Sequence, residues 1–315
     1  MREYKKLVTK IMAEGTRREG TRGGVDTIGI FNYNYQHDLA SGFPLLTTKP
    51  INWKNIVIEN LWFLSGDPTV SFLHKHGVKF WDPWVQADGK VPSAYGNFWR
   101  RFEHGHNEYV PIGGFAADDP PTEELSYKST PIDQVAWALD KLKQNPAMRQ
   151  AVITSWDPRN VITSSLPPCH TVHVLNIHDT GTGVKRLNLH LTQRSCDVAL
   201  GLPYNIAGYA FLLSLYARFL GYQPGVFAHS IVDAHIYTKS LDGSNSEYDH
   251  MPGLAEQLTR PEKTLPVLWI DDRIKDLSSI DELVRSNAST DEVMGLFKVM
   301  GYAQYYNEIR FKPAV

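Results

Sequence analysis

Apolar positions along the chain fall into two rhythms, and their alternation outlines the fold. Tyr4, Leu7, Val8, Ile11 and Met12 recur at helical spacing and predict a helix over 4–14. A Gly/Arg-rich stretch, EGTRREGTRGG at 14–24, interrupts it and reads as a mobile or ligand-gripping loop. The run TIGIFNYNY predicts a strand, which the turn SGFP joins to a helix near 52–65, where Glu59 stands among Ile56, Leu61 and Phe63. Two alternating runs, TVHVLNIH (171–178) and KRLNLHLTQRS (185–195), flank DTGTG and predict a β-hairpin. A strongly apolar helix follows at about 205–220, then a strand at 226–235. The polar, Gly/Pro-punctuated segment 240–262 reads as a surface insertion, and 284–300 as one more amphipathic helix. Strands and helices intersperse without a βαβ period, which implies an α+β fold with a large mixed β-sheet flanked by helices. Without repeats or a low-complexity linker, residues 1–315 read as a single domain.

Composition narrows the function classes. The 315 residues are 42% hydrophobic and 21% charged, ordinary globular usage that sets aside disordered and collagen-like readings. Lysine and arginine total 32 against 34 acidic residues, so no global field draws the chain to nucleic acid or an acidic membrane. The N-terminal run lacks the apolar core of a signal peptide and no stretch is long enough for a membrane helix, so a cytoplasmic location is expected. Only Cys169 and Cys196 are present, with no zinc spacing, which points away from disulfides and structural metals. Each is a core residue or a nucleophile.

Candidate chemistry gathers around Cys169. Two prolines stiffen the backbone before it in SSLPPCH, and a strand follows to fix the thiol's direction. If the hairpin closes, Arg194 returns beside it, where a guanidinium lowers a thiol pKa and meets an anion. Arg22, Arg149 and Arg194 are each ordinary surface charges or, together, a phosphate grip. Asn205 is a helix cap or a contact to a base edge, and His235 and Tyr237 are satisfied strand-end residues or sugar contacts. Trp81, Trp84 and Trp99 fill core or stack on a flat ligand. Glu59, if buried beside Trp62 and Phe63, has a raised pKa suited to moving protons.

With LPPCH, QRSCDVALGLPYNIAGY, DAHIY, FWDPW, AYG and SGFPLLTTK, the chain resembles the thymidylate synthase family and its hydroxymethylase relatives, from about residue 20 to residue 238. The resemblance implies an obligate homodimer with sheets packed back to back, and a phosphate site completed by arginines of the partner. It implies a pyrimidine nucleoside monophosphate and 5,10-methylenetetrahydrofolate as co-substrates, with no metal, membrane or nucleic acid required. Cys169 would attack C6 of the pyrimidine, activated by Arg194. Arg194, Ser195, Arg22 and, from the other subunit, Arg149 with Gln150 would meet the phosphate. Asn205 would read the base, and His235 and Tyr237 the sugar. Glu59, Tyr95, His170 and Asp197 would complete the catalytic set. Phe80, Trp81, Trp84, Leu166, Asp197, Leu200, Gly201 and Tyr204 would hold the folate rings, with Lys49 toward its glutamate tail.

The chain departs from the family pattern in three places. Gln150 follows Arg149 where a second arginine is usual, the loop reads TRGGVDT, and Ser240, the last residue of HIYTKS, stands where a histidine is usual. Reductive methylation of dUMP is the leading reaction, and hydroxymethylation is the runner-up. Asn205 disfavours dCMP, whose hydroxymethylases carry aspartate there. A catalytically silent nucleotide- or RNA-binding relative is the alternative from another class, and retention of both Cys169 and Arg194 argues against it.

Overall fold

The N-terminal stripe becomes the buried face of helix α1 (Arg2–Glu14), where Tyr4, Leu7, Val8 and Ile11 point into the core. The computed structural model describes residues 2–112, 122–164, 166–181 and 183–314; the side chains of residues 22, 106–112, 122–127, 160 and 163 fall outside the description. Strand β1 (Thr16–Arg18) occupies part of the expected 14–24 loop and pairs antiparallel with β2 (Asp26–Asp38). Helix α2 (Trp53–Ser65) starts one residue inside the predicted span, because the Asn52 side chain accepts from the backbone of Asn55 and caps it. Gly66, in the left-handed conformation, ends it.

Helix α3 (Ser71–Lys75), helix α4 (Tyr95–Arg101) and the antiparallel pair β3 (Gly105–Ile112) and β4 (Thr122–Ser129) follow. Helix α5 (Gln134–Gln144), β5 (Val152–Thr154) and helix α6 (Pro158–Thr163) lead to the hairpin. That hairpin forms as the alternation predicts, from β6 (His170–Asp179) and β7 (Lys185–Gln193). After a two-residue break the chain resumes as β8 (Cys196–Asp197), then helix α7 (Gly201–Leu220) and β9 (Gln223–Thr238). The sheet order is β1-β2-β9-β7-β6-β5, with β8 pairing β9. Its β7–β9 and β8–β9 ladders are parallel and the rest antiparallel, so the sheet is mixed as expected.

Two C-terminal expectations need correction. Segment 240–262 is not wholly a surface excursion: it contains helix α8 (Met251–Thr259), which buries Leu254 and Gln257 and packs near α1, where Lys5 Nζ donates to the Leu258 and Arg260 carbonyls. A polar helix can dock on a few buried contacts, which composition averages away. Nor is 284–300 one helix. After β10 (Val267–Ile270) come α9 (Leu277–Arg285), α10 (Thr290–Gly295) and β11 (Phe297–Met300), which pairs with β10. Asp276 and Ser289 head two separate capping boxes, so the apparent single period spans two starts. Among the described residues no helix is long and apolar enough to cross a membrane.

Candidate active site

Cys169 lies immediately before β6, half-buried and outside any disulfide. The break between β7 and β8 turns Arg194 out of the sheet, but its backbone N–H still donates to the Cys169 carbonyl at 2.8 Å. Its side chain then folds back, Nε donating to the Pro168 carbonyl at 2.9 Å and a terminal nitrogen to the Pro167 carbonyl at 2.7 Å. The guanidinium centre lies 5.9 Å from the Trp156 ring. A guanidinium carries about five donors, more than these two carbonyls use. Cys196, in contrast, is buried, and burial with the neighbouring Asp197 and Cys169 holds its thiol far above the ordinary range. It is the inert cysteine of the two.

Opposite the thiol stands an aromatic and acidic wall. Tyr95 begins α4, and its hydroxyl oxygen accepts from the backbone N–H groups of Cys169 at 3.2 Å and His170 at 3.3 Å. Its ring stacks on His170 with centroids 4.5 Å apart and planes 6° apart. Gly96 lets α4 lie against the end of α2, since a Cβ there would stand 2.6 Å from the Phe63 carbonyl oxygen. Burial lowers His170 to about 3, opposed by its bond to Asn205, so the imidazole is neutral at pH 7. Burial also raises the Tyr95 phenol, which stays protonated. Glu59 accepts a 2.8 Å hydrogen bond from Trp81 Nε1. Burial pushes its carboxyl up to about 7, against the downward pull of that bond. Trp81 sits between Trp62 and Trp84, at 5.5 and 5.7 Å. Trp99 is core, its Nε1 donating to Ser155 Oγ.

The third side is the start of α7. Asp197 Oδ1 accepts from the backbone of Ala199 at 2.9 Å and Leu200 at 3.1 Å, closing a turn that leads into Gly201, Tyr204 and Asn205. Asn205 is not a cap: it lies inside the helix, and its Oδ1 accepts from Gln193 Nε2 at 3.1 Å. A Cβ on Gly201 would lie 3.7 Å from that oxygen, so these two positions share one surface. Lys49 meets the same turn. Only 6% exposed, it donates to the Ala199 carbonyl at 2.8 Å and lies 4.6 Å from the Phe311 ring. Burial lowers it to about 8, while Asp197 and Glu308 act the other way. It braces the Asp197–Leu200 turn.

At the end of β9, His235 and Tyr237 are buried edge to face with centroids 5.3 Å apart. Asp233 Oδ2 is 3.6 Å from His235 Nδ1 and Asp233 also pairs with Arg18. Ser195 accepts at its carbonyl from Gln193 Nε2. Leu166 is half-buried against the core, whereas Phe80 is exposed. Arg149 and Gln150 are exposed in the turn between α5 and β5. The side chain of Arg22 lies outside the described residues; its backbone opens a short 3-10 turn, Arg22–Gly24.

A profile of the thymidylate synthase family matches residues 2–315. The chain belongs to the thymidylate synthase family. It is 36% identical to a thymidylate synthase of Haloferax volcanii, across 91% of this chain and 94% of that one. The protein is therefore an enzyme of the methyltransferase class, with folate-dependent methylation of a pyrimidine nucleotide as its chemistry. The family's flat co-substrates suit an aromatic wall such as the one Trp84 forms, half-buried beside Trp81.

Sequence reasoning missed Gln193, Tyr35 and His229. Their signal was a polar residue at a core position of an alternating strand: Leu187, Leu189, Leu191 and Gln193 are all buried on β7, and Phe227, His229 and Ile231 on β9.

Proposed function

We propose that the enzyme converts dUMP to dTMP with 5,10-methylenetetrahydrofolate, using Cys169 as the covalent nucleophile. The observation that carries this reading is the clasp of Arg194 on the two prolyl carbonyls that lead into the half-buried thiol. A fixed cation there favours the thiolate and draws the nucleotide's phosphate to the same place. The thiolate adds to C6 of the uracil, which makes C5 a carbon nucleophile; after transfer, loss of the C5 proton and expulsion of the thiolate restore the ring. The folate supplies a one-carbon unit and a hydride and leaves as dihydrofolate.

Glu59, with a carboxyl near neutrality, exchanges protons at O4 and C5 through water, and neutral His170 and protonated Tyr95 complete that polar wall. Asn205 reads the base edge, and His235 and Tyr237 the sugar. Arg194, Ser195 and Arg22 hold the phosphate with Arg149 and Gln150 of the partner subunit. Asp197, Phe80, Trp81, Trp84, Leu166, Leu200, Gly201 and Tyr204 face the folate. The working unit is a cytoplasmic homodimer. Exposed apolar side chains on the sheet, Phe31 (82% exposed), Val152 and Val232, support an interface there.

Incubation with dUMP and 5,10-methylenetetrahydrofolate, with both products identified by mass, tests the reading. Thymidylate and dihydrofolate are expected. A 5-hydroxymethyl product with tetrahydrofolate, or unchanged turnover by Cys169→Ser, overturns it.

A further inference from the structure

Behind Asn205 runs a line of buried polar side chains that crosses β2, β9 and β7. Tyr35 on β2 and His229 on β9 are register partners, and Tyr35 OH lies 2.9 Å from His229 Nδ1. His229 Nε2 lies 3.0 Å from Gln193 Oε1, and Gln193 Nε2 lies 3.1 Å from Asn205 Oδ1. Tyr35, His229 and Gln193 are all buried, so their polar atoms depend on protein partners for their hydrogen bonds.

The direction of every bond in this line follows from one atom. Gln193 Nε2 also stands 2.9 Å from the Ser195 backbone carbonyl, which only accepts, so the amide nitrogen of Gln193 must face it. Its oxygen therefore faces His229, whose Nε2 must carry a proton. Burial, aided by His170 and His190, holds the His229 imidazole well below its ordinary pKa, so the ring is neutral and has a single N–H. Nδ1 is then an acceptor and Tyr35 the donor. At the other end Gln193 donates to Asn205 Oδ1, and the Cys196 thiol, kept protonated by burial, approaches the same oxygen at 3.9 Å. Held at its oxygen by Gln193 and bonded to His170 as well, the Asn205 amide has one orientation, in which its nitrogen is the donor for a bound base. An N–H donor there suits a 4-oxo pyrimidine and opposes a 4-amino one.

We propose that His229 is a positioning residue that fixes the orientation of the Asn205 amide through Gln193, and thereby the enzyme's preference for uracil over cytosine nucleotides. The proposal rests on the reading of Asn205 as the base contact.

The test compares dissociation constants for dUMP and dCMP in the parent, His229→Leu, His229→Gln, Tyr35→Phe and Asn205→Asp proteins. His229→Leu leaves Gln193 Oε1 buried without a donor and loosens the amide's hold on Asn205, and the dCMP-to-dUMP ratio of dissociation constants should narrow by roughly tenfold. His229→Gln can still place an N–H against Gln193 Oε1 and should keep most of the preference. Tyr35→Phe, a small excision less disruptive to folding, should narrow the ratio by about threefold because Nδ1 loses its donor. A merely structural role would weaken both nucleotides alike and leave the ratio in place. Nitrogen-15 spectra of the parent, with His229 assigned by its loss in His229→Gln, should show the neutral ring protonated at Nε2. A shift in Asn205→Asp with none in His229→Leu and Tyr35→Phe refutes the role of His229 while the Asn205 reading stands. No shift in Asn205→Asp removes the base contact itself, and with it this proposal. A ring protonated at Nδ1 also overturns it.

Discussion

Arg194 and Cys169 are joined through the sheet itself: the N–H of one donates to the carbonyl of the other at 2.8 Å where β7 ends and β6 begins. The cation's place beside the thiol thus depends on backbone pairing, and its side chain adds the grip on Pro167 and Pro168. Arg194→Lys keeps the charge but offers no planar fork. Loss of these charge-assisted bonds, worth about 1.5–3 kcal/mol each when fully made, should lower kcat/KM for dUMP by roughly a hundredfold. Steady-state kinetics on a variant with unchanged circular dichroism checks this, and a change under threefold would mean that charge alone matters.

Glu59 ties activity and stability to pH. Its folded pKa, about 7, lies above the ordinary 4.5, so the native state holds the proton more tightly than the unfolded chain. The carboxyl therefore costs stability progressively as pH rises from 4.5 to about 7, and fully above that. Glu59→Gln removes the ionisation, so its stability relative to the parent should improve between pH 5 and pH 8 by on the order of 2 kcal/mol, less than the full shift because the carboxyl partly faces the cleft. Denaturant titrations at both pH values check the sign. The same variant should lose the limb near pH 7 from the kcat/KM profile.

Trp81→Phe isolates the indole's polar contribution. The ring remains, but Glu59 loses the donor that stabilises its charged form. The Glu59 limb should move upward by about one pH unit, as expected for a bond to a charged group worth about 1.5 kcal/mol. An unmoved limb would dissociate the profile from Glu59.

Mixed subunits test the shared phosphate site. Arg149→Ala and Cys169→Ser chains should each be nearly inactive, yet their heterodimers should regain one working site, built from an intact Cys169 and Arg149 of the partner subunit. Absence of rescue, with heterodimers confirmed by native mass spectrometry, would confine Arg149 to its own chain.

The central sheet and the thiol's surroundings were legible because they follow local rules. Period-two alternation marked β6 and β7, a Gly-rich turn closed them, and Arg194 then fell beside Cys169. Glu59 was legible as a carboxylate amid apolar helix neighbours, and its raised pKa follows. What stayed hidden depends on contacts remote in sequence. The enclosure of Lys49 by the Ala199 carbonyl and Phe311 is such a contact. At α7 the turn that Asp197 organises opens the helix, with no side-chain cap. The β10–β11 pair depends on a partner some distance away, which short-range periodicity does not see.

The pairing of β2 with β9 has a consequence for how the protein is made. Tyr35 and His229 are 194 residues apart, yet they are register partners near the middle of the sheet. During synthesis β2 leaves the ribosome long before its partner exists, and β7 has no neighbour on its β9 side until then. Closure of so distant a ladder is slow, and the waiting strand carries Phe31 and unpaired backbone groups that invite intermolecular pairing. Chaperone dependence in the cell should therefore centre on the interval before residue 238 emerges, and a chain cut ahead of β9 should yield aggregate in place of a partly active fragment.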